Sequence, residues 1–386
     1  MGEILQPSNS LKTMIDTTTL QLKRMEIDGK YLSRFESLTS SKAKTHRYFF
    51  NPNVKKDGYL PKITIKKLEG QRDWYTESID IEFSAPKILY GTNYFGVDEN
   101  DYNKLLDNLL EKLGFIFNGS PLTKAQIQQS NIKTIAFVFN FILPDSSSRP
   151  IEFLKVIPFL DIGKNYNRIK NTYFTEENEL GYCGRIYNKQ VGFKIYDKGA
   201  ELINNPKTPE EIETASKIKQ GLLPIKIIRI EITYQNKFTL KRHLATKTDG
   251  NHKRERHLFE VFNNKLCQSI LLESFNKLAD EVNIQALDIP LYPIADCFKV
   301  IKEAGMYPYD TYAWLGRSLA IQQAGSLQLK LINDDYFIRQ DRSRVDKKFK
   351  KLLNLHPLSF FTLKKVFEEC RKQLNEFKII KPEDYS

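Results

Sequence analysis

Hydrophobic and polar positions alternate along the first two thirds of the chain, and from about residue 258 they take on helical spacing. Residues 14–23, MIDTTTLQLK, are rich in Thr and Leu and predict an early strand. Residues 62–68 and 79–83 predict two more, the second alternating as IDIEF. A turn-rich stretch follows, SAPKILYGTNYFG, and then Leu105, Leu106, Leu109, Leu110 and Leu113 give helical spacing across 99–113. Residues 134–143 and 153–162 read as strands joined by the polar turn PDSSSRP, and 190–196 as another. Thr208-Pro209-Glu210-Glu211 is a capping pattern with Pro at the first helical position, so a helix should start there. It should end near Gly221 and Pro224, where the strand IKIIRIEITY begins.

These elements predict an α+β fold: a central, largely antiparallel sheet with flanking helices, followed by a smaller, mainly helical C-terminal domain. The polar stretch KTDGNHKRERH places the boundary so that residues 1–257 form the first domain and 258–386 the second. Composition supports packed interiors, with 41% hydrophobic and 12% aromatic residues in 386. Lys and Arg number 59 against 47 Asp and Glu, a net charge of +12 that favours polyanionic partners. A Lys-, Asn- and Ile-rich composition accounts for the same surplus without any nucleic acid. Cys183, Cys267, Cys297 and Cys370 form no CxxC pair and fit reduced thiols in a cytosol. The first residues lack the apolar core of a signal peptide, and the most apolar run, 135–143, is interrupted by Asn140 and too short to span a bilayer. The expectation is a cytoplasmic protein with no membrane partner.

Three strand segments carry chemistry-bearing residues. In 225–234 the alternation sets Ile228, Ile230 and Ile232 on a core face, and Arg229, Glu231 and Thr233 on the other. In 190–198, Phe193 and Ile195 share one face while Lys194, Tyr196 and Lys198 share the opposite one. A tyrosine between two lysines suits attack on a phosphodiester, because nearby positive charge attracts the phosphate and favours the phenolate. Asp161 ends the apolar run VIPFLDIG, and with Glu231 it offers oxygen ligands for Mg²⁺ or Mn²⁺. Each residue also has an ordinary structural use: Tyr196 as a boundary between core and water, Asp161 as a turn cap, Glu231 in a cross-strand ion pair. The chain has no P-loop, no G-x-S-x-G elbow, no H-E-x-x-H and no His-x-His pair.

Five segments in order resemble the replication initiators of filamentous phages, the gene II type of rolling-circle nickase. SAPKILYGTNYFG (84–96) resembles that family's segment leading to G-x-N-x-F-G, and MID (14–16) its opening strand. FLDIGKN (159–165) resembles its S-R-I-D strand, with Pro158 and Phe159 where the family has Ser and Arg. FKIYDKGAEL (193–202) resembles its nucleophile segment, and IIRIEITYQNK (227–237) its R-F-E-A-R strand. The resemblance implies that Tyr196 is the nucleophile, forming a 5′-phosphotyrosine and freeing a 3′-OH for a host polymerase. It implies Asp161 and Glu231 as metal carboxylates, with Glu82 as a weaker third. Tyr182, in GYCGR, loosely resembles the Y-x-G-x-R stretch of plasmid initiators and competes for the nucleophile's role.

Origin DNA is the expected partner, with a host helicase and polymerase following the nick, and monomer and homodimer both fit the chain. For DNA contact the expectation names Arg229 and the basic run after it, with Lys237, Lys241, Arg242, Lys253 and Arg254. It also names Arg342, Arg344, Lys347 and Lys348 in RSRVDKKFKK. Two other readings fit the sequence: a non-catalytic DNA-binding replication regulator, and a relaxase or transposase of related chemistry.

Overall fold

A computed structural model describes residues 15–40, 45–52, 57–68, 75–143, 150, 154, 167–169, 183–187, 191–234, 236–280, 363–376 and 382–385. Among these residues ten strands form a single sheet: β1 (Ile15–Glu26), β2 (Glu36–Ser40), β3 (Thr45–Phe50), β4 (Lys62–Leu68), β5 (Tyr75–Ser84), β6 (Asn131–Ile142), β7 (Asn167–Ile169), β8 (Cys183–Tyr187), β9 (Val191–Asp197) and β10 (Ile227–Tyr234). The spatial order is β2-β3-β4-β5-β1-β6-β10-β9-β8-β7, and every pairing is antiparallel. The described helices are α1 (Ala85–Tyr90), α2 (Tyr102–Phe117), α3 (Lys124–Gln128), α4 (Lys198–Asn204), α5 (Pro209–Lys219), α6 (Lys237–Lys247), α7 (Leu258–Val261), α8 (Asn264–Asp280) and α9 (Leu363–Glu376). The α+β expectation with a largely antiparallel sheet holds.

Alternation decides which face each strand buries. Phe137, Phe139 and Phe141 of β6, Ile228, Ile230 and Ile232 of β10, and Phe193 and Ile195 of β9 all enter one hydrophobic core. Leu105, Leu106, Leu109 and Leu113 of α2 close that core from the same side, at the helical spacing the sequence shows. The opposite face is covered at one end by a smaller core of Tyr94, Leu202, Ile218, Leu223 and Ile227. There α4 lies over β9 and β10 with α5 packed on α4, and residues of opposite parity on β10 are buried as well.

One expectation is revised. The stretch 84–96 contains a helix: Pro86 opens α1, where its missing N–H costs nothing, and Gly91 ends it at φ +69°. Of the helices described beyond residue 258, α8 contributes Phe275 and α9 contributes Val366, Phe367 and Leu374 to the same cluster as the sheet. Gln373 of α9 also donates to the Ile142 carbonyl at 3.0 Å. The strand expected over 153–162 lies outside the described residues apart from Leu154, which is buried. Among the described residues no helix is long and apolar enough to cross a membrane.

The helix expected at Thr208 is α5. The Thr208 hydroxyl accepts from the Glu211 N–H at 3.1 Å, Pro209 takes the first turn, and Gly221 at φ +75° follows the end. The junction between α4 and the strand entering β10 is tight: a Cβ built on Gly199 would lie 2.0 Å from the Ile225 carbonyl oxygen. Backbone cannot yield there as a flexible side chain would. Gly199→Ala is therefore expected to lower unfolding free energy by about 1–3 kcal/mol, read by urea denaturation, and a neutral result would mean that α4 can shift freely on the sheet.

Candidate active site

The second face of the sheet holds a polar cluster where β1, β6, β10 and β9 meet. Arg229 projects from β10 and is fully buried. Its Nη1 donates to Asp16 Oδ2 of β1 at 3.1 Å, reaching past the intervening β6. Its Nε donates to Asn140 Oδ1 of β6 at 2.7 Å, and its Nη2 donates to the Asn93 carbonyl. Asn140 is the residue that interrupts the apolar run of β6. It sits opposite Arg229 in the ladder and gives the guanidinium an acceptor that Phe139 or Phe141 could not.

Asp16 has further donors. The Ser84 hydroxyl bonds its Oδ1, and Asn93 Nδ2 donates to its Oδ2 at 3.1 Å. Burial alone would raise the Asp16 carboxyl. The Arg229 charge and the Ser84 bond outweigh it and hold the group below the usual carboxylate range. Asn93 belongs to the loop after α1, within the GTNYFG segment. It binds Asp16 with one end of its amide and accepts from Lys198 Nζ at 2.6 Å with the other. Lys198 is buried, which pushes its pKa down, and an ion pair with Glu201 partly offsets that cost.

Next to this cluster, Tyr196 stands opposite Arg229 on the β9–β10 ladder and Lys194 stands opposite Glu231. The Tyr196 hydroxyl donates to Glu231 Oε1 at 2.6 Å, and Lys194 Nζ lies 3.1 Å from Oε2. Glu231 is buried while Lys194 is partly exposed, so the triad opens to solvent from the lysine's side. The expectation that flanking lysines lower the phenol's pKa is corrected here. Burial and then the Glu231 charge push it well above its ordinary value, and Lys194 and Lys198 are each committed to a carboxylate. The phenol therefore holds its proton, and Glu231 is the carboxylate in hydrogen-bond reach of it.

The structure brings Tyr196, Lys194, Lys198 and Glu231 to one face, and it separates others. Glu82 is 46% exposed and ion-pairs with Lys62 at 3.3 Å. Strands β1 and β6 lie between its strand and β10, which at about 4.8 Å per strand puts roughly 14 Å between the two. The register shifts them further: Glu82 pairs with Thr19, which pairs with Thr134, whereas Glu231 pairs with Val138. A divalent ion holds carboxylate oxygens at about 2.0–2.6 Å, so one ion cannot bridge Glu82 and Glu231. Asp161 and Tyr182 lie outside the described residues, and Cys183, the chain neighbour of Tyr182, pairs with Tyr196.

Among the described residues no three His, Cys, Asp or Glu side chains gather as a metal site, and both Glu231 oxygens are taken by Tyr196 and Lys194. The described residues alone therefore do not fit Mg²⁺ or Mn²⁺. The DNA-contact expectation changes as well. Arg229 cannot touch DNA because it is buried, and it serves as an internal strut. Lys237 and Lys241 both bind Glu255, at 2.5 and 2.8 Å, and Arg254 binds Asp249 and Glu260, at 3.0 and 3.2 Å. Arg242 and Lys253 are exposed, while Arg342, Arg344, Lys347 and Lys348 lie outside the described residues.

The sequence did not single out Asp16, Ser84, Asn93, Asn140 or Glu201 as site residues. Each left a signal all the same: Asn140 as a polar break in an apolar strand, Asp16 in MID, Ser84 and Asn93 in SAPKILYGTNYFG, and Glu201 in FKIYDKGAEL.

No protein-family model matches the chain, and no curated protein matches it. Among solved structures the chain is similar to the rolling circle replication initiator protein from Geobacillus stearothermophilus, at 12% identity, covering 69% of this chain and 95% of that one. The TM-score is 0.26, too low to establish a common fold or to transfer a site.

Removing one member of the buried pair should be costly. Asp16→Ala leaves Arg229 charged and uncompensated, with an expected loss of about 3–5 kcal/mol in urea unfolding. A loss below about 1 kcal/mol would mean that water reaches the guanidinium and that the pair does not hold β1 to β10.

Proposed function

We propose that this chain is a DNA-nicking and joining enzyme that initiates rolling-circle replication at an origin, through a tyrosine of the β8–β9 region. The observation that carries the reading is the Tyr196–Glu231 hydrogen bond of 2.6 Å with Lys194 on the second carboxylate oxygen. A nucleophile, a base in reach and a third group orienting the base form the arrangement that covalent catalysis needs. The ordered resemblance of segments 14–237 to phage initiators supports DNA as the substrate.

In this reading the Tyr196 oxygen attacks the phosphorus of the scissile phosphodiester while Glu231 takes the phenolic proton. The P–O3′ bond breaks, and the departing 3′ oxygen takes a proton from water. The products are a 5′-phosphotyrosyl link and a free 3′-OH, the end that a host polymerase extends behind a host helicase. Attack of a 3′-OH on the phosphotyrosine reverses the step and rejoins the strand. Lys194, partly exposed, draws the phosphate toward the pair. Arg229, Asp16, Asn93 and Lys198 fix the frame on which β9 and β10 present these side chains.

One observation favours a second reading within the same function. A phenol held protonated by burial and a neighbouring carboxylate suits a positioning group as well as a nucleophile. Tyr182, whose neighbour Cys183 pairs with Tyr196, would then make the attack.

The test uses supercoiled plasmid carrying the intergenic region beside the chain's own gene, with Mg²⁺, with Mn²⁺ and with chelator. Products are resolved after denaturation, with and without protease. The expected result is a protease-sensitive adduct, lost in Tyr196→Phe and reduced by about 10²–10⁴-fold in Glu231→Gln. Loss confined to Tyr182→Phe moves the nucleophile to that residue. Tight binding without adduct or nick under every condition overturns the enzyme and leaves a DNA-binding regulator.

A further inference from the structure

We infer that the loop from Gly221 to Lys226 is a rigid apolar wedge that inserts its Leu222 and Ile225 side chains between DNA bases beside the Tyr196 site. Leu222 is 61% and Ile225 51% exposed, two large hydrophobic side chains facing water within four residues. The inference rests on the DNA-acting reading above and gives it a means of opening the duplex.

The loop is apolar at its tip and pinned at its base. Leu223 is buried in the smaller core with Tyr94, Leu202, Ile218 and Ile227. The Tyr94 hydroxyl donates to the Pro224 carbonyl at 2.9 Å. The Ile225 carbonyl packs against Gly199 so closely that no side chain fits there, and the Lys226 carbonyl accepts from the Leu143 N–H at 2.9 Å. Pro224 further restricts the backbone. A loop fixed at four successive residues does not hide its exposed side chains by folding back.

The helix end shows the same outward bias. Helix α5 closes with the Leu222 N–H on the Lys217 carbonyl at 3.0 Å and the Gly221 N–H on the Ile218 carbonyl at 3.1 Å. In this type of helix ending, the residue at the position of Leu222 ordinarily packs on the residue at the position of Lys217. Here that partner is a charged lysine, ion-paired to Glu213, and Leu222 stays in water.

Position and charge select DNA as the occupant. Ile225 packs on Gly199, three residues after Tyr196, so the tip lies at the end of β9 that leads from the candidate nucleophile into α4. Exposed Lys219 and half-buried Lys226 flank the apolar pair, within a chain of net charge +12. Apolar side chains such as Leu, Ile and Pro are the type that unstack a base step when basic residues hold the backbone. Unstacking there exposes one strand of the duplex beside the candidate nucleophile.

The test is permanganate footprinting of unstacked thymines on the supercoiled plasmid named above, with binding followed by gel shift on the same samples. Wild type is expected to create a patch of reactive thymines on binding. Leu222→Ser/Ile225→Ser should lose the patch while still shifting the DNA, and Leu222→Met/Ile225→Leu should retain it. Wild-type binding without reactive thymines, or a patch unchanged in the serine pair, overturns the wedge. Absence of any shift also overturns it and turns the loop toward a protein partner. The adduct assay is scored separately: reactive thymines without adduct leave a wedge on a non-nicking protein, and adduct without reactive thymines leaves a nicking enzyme with no wedge.

Discussion

The buried ion pair between Asp16 and Arg229 is the constraint around which the rest of the polar face is arranged. A guanidinium with no exposed surface is tolerable only if each nitrogen finds an acceptor. Those acceptors come from β1, from β6 and from the loop after α1. Each supplier is then fixed in turn. Asn140 must interrupt an otherwise apolar strand, Asn93 must present both its carbonyl and its side chain, and Ser84 must stand against Asp16. The pair adds little net stability by itself, because desolvation offsets most of the attraction. What it supplies is registration, since a one-residue slip of β10 would turn Arg229 into the hydrophobic core.

That registration reaches the candidate chemistry through the β9–β10 ladder. Arg229 lies opposite Tyr196 and Glu231 lies opposite Lys194, so fixing one row fixes the next. Lys198 and Glu201 extend the same network into α4, which connects the motif loop, the tyrosine strand and the loop bearing Leu222 and Ile225. The two sheet faces thus divide the work. One is an apolar core shared by α2, α8 and α9, and the other combines a small core with a hydrogen-bonded frame that ends at a partly open tyrosine.

Much of this was legible in the sequence wherever the side-chain period was unambiguous. The alternation in 225–234 separates the core isoleucines from Arg229 and Glu231, and the Thr208–Pro209 cap marks the start of α5. Other parts depend on pairing that no local pattern carries. Strands β2 and β3 lie in a stretch without clear alternation, and α1 hides behind residues that read as turns. The site shows the same limit. Tyr196, Lys194 and Glu231 share a face that alternation reveals, yet Asp16 and Asn93 join them only because β1 and the motif loop return to Arg229 from distant parts of the chain. The basic run after β10 shows the same dependence on pairing: Glu255, Asp249 and Glu260, which no charge count in the run reveals, pair with several of its residues in space.

The separation of Asp16 from Arg229 along the chain, 213 residues, has a consequence for synthesis. The pairings β2–β3–β4–β5 and β7–β8–β9 are between strands that are neighbours in sequence. The central seam of β1, β6 and β10 brings together the beginning and the middle of the chain and pays a larger loop-closure entropy. A growing polypeptide therefore carries Asp16 and the tyrosine strand for some time before Arg229 and Glu231 leave the ribosome. During that interval the tyrosine has no carboxylate partner and the first strand has no countercharge. The polar face becomes whole only when β10 arrives, so incomplete chains lack both the Asp16–Arg229 pair and the Tyr196–Glu231 bond.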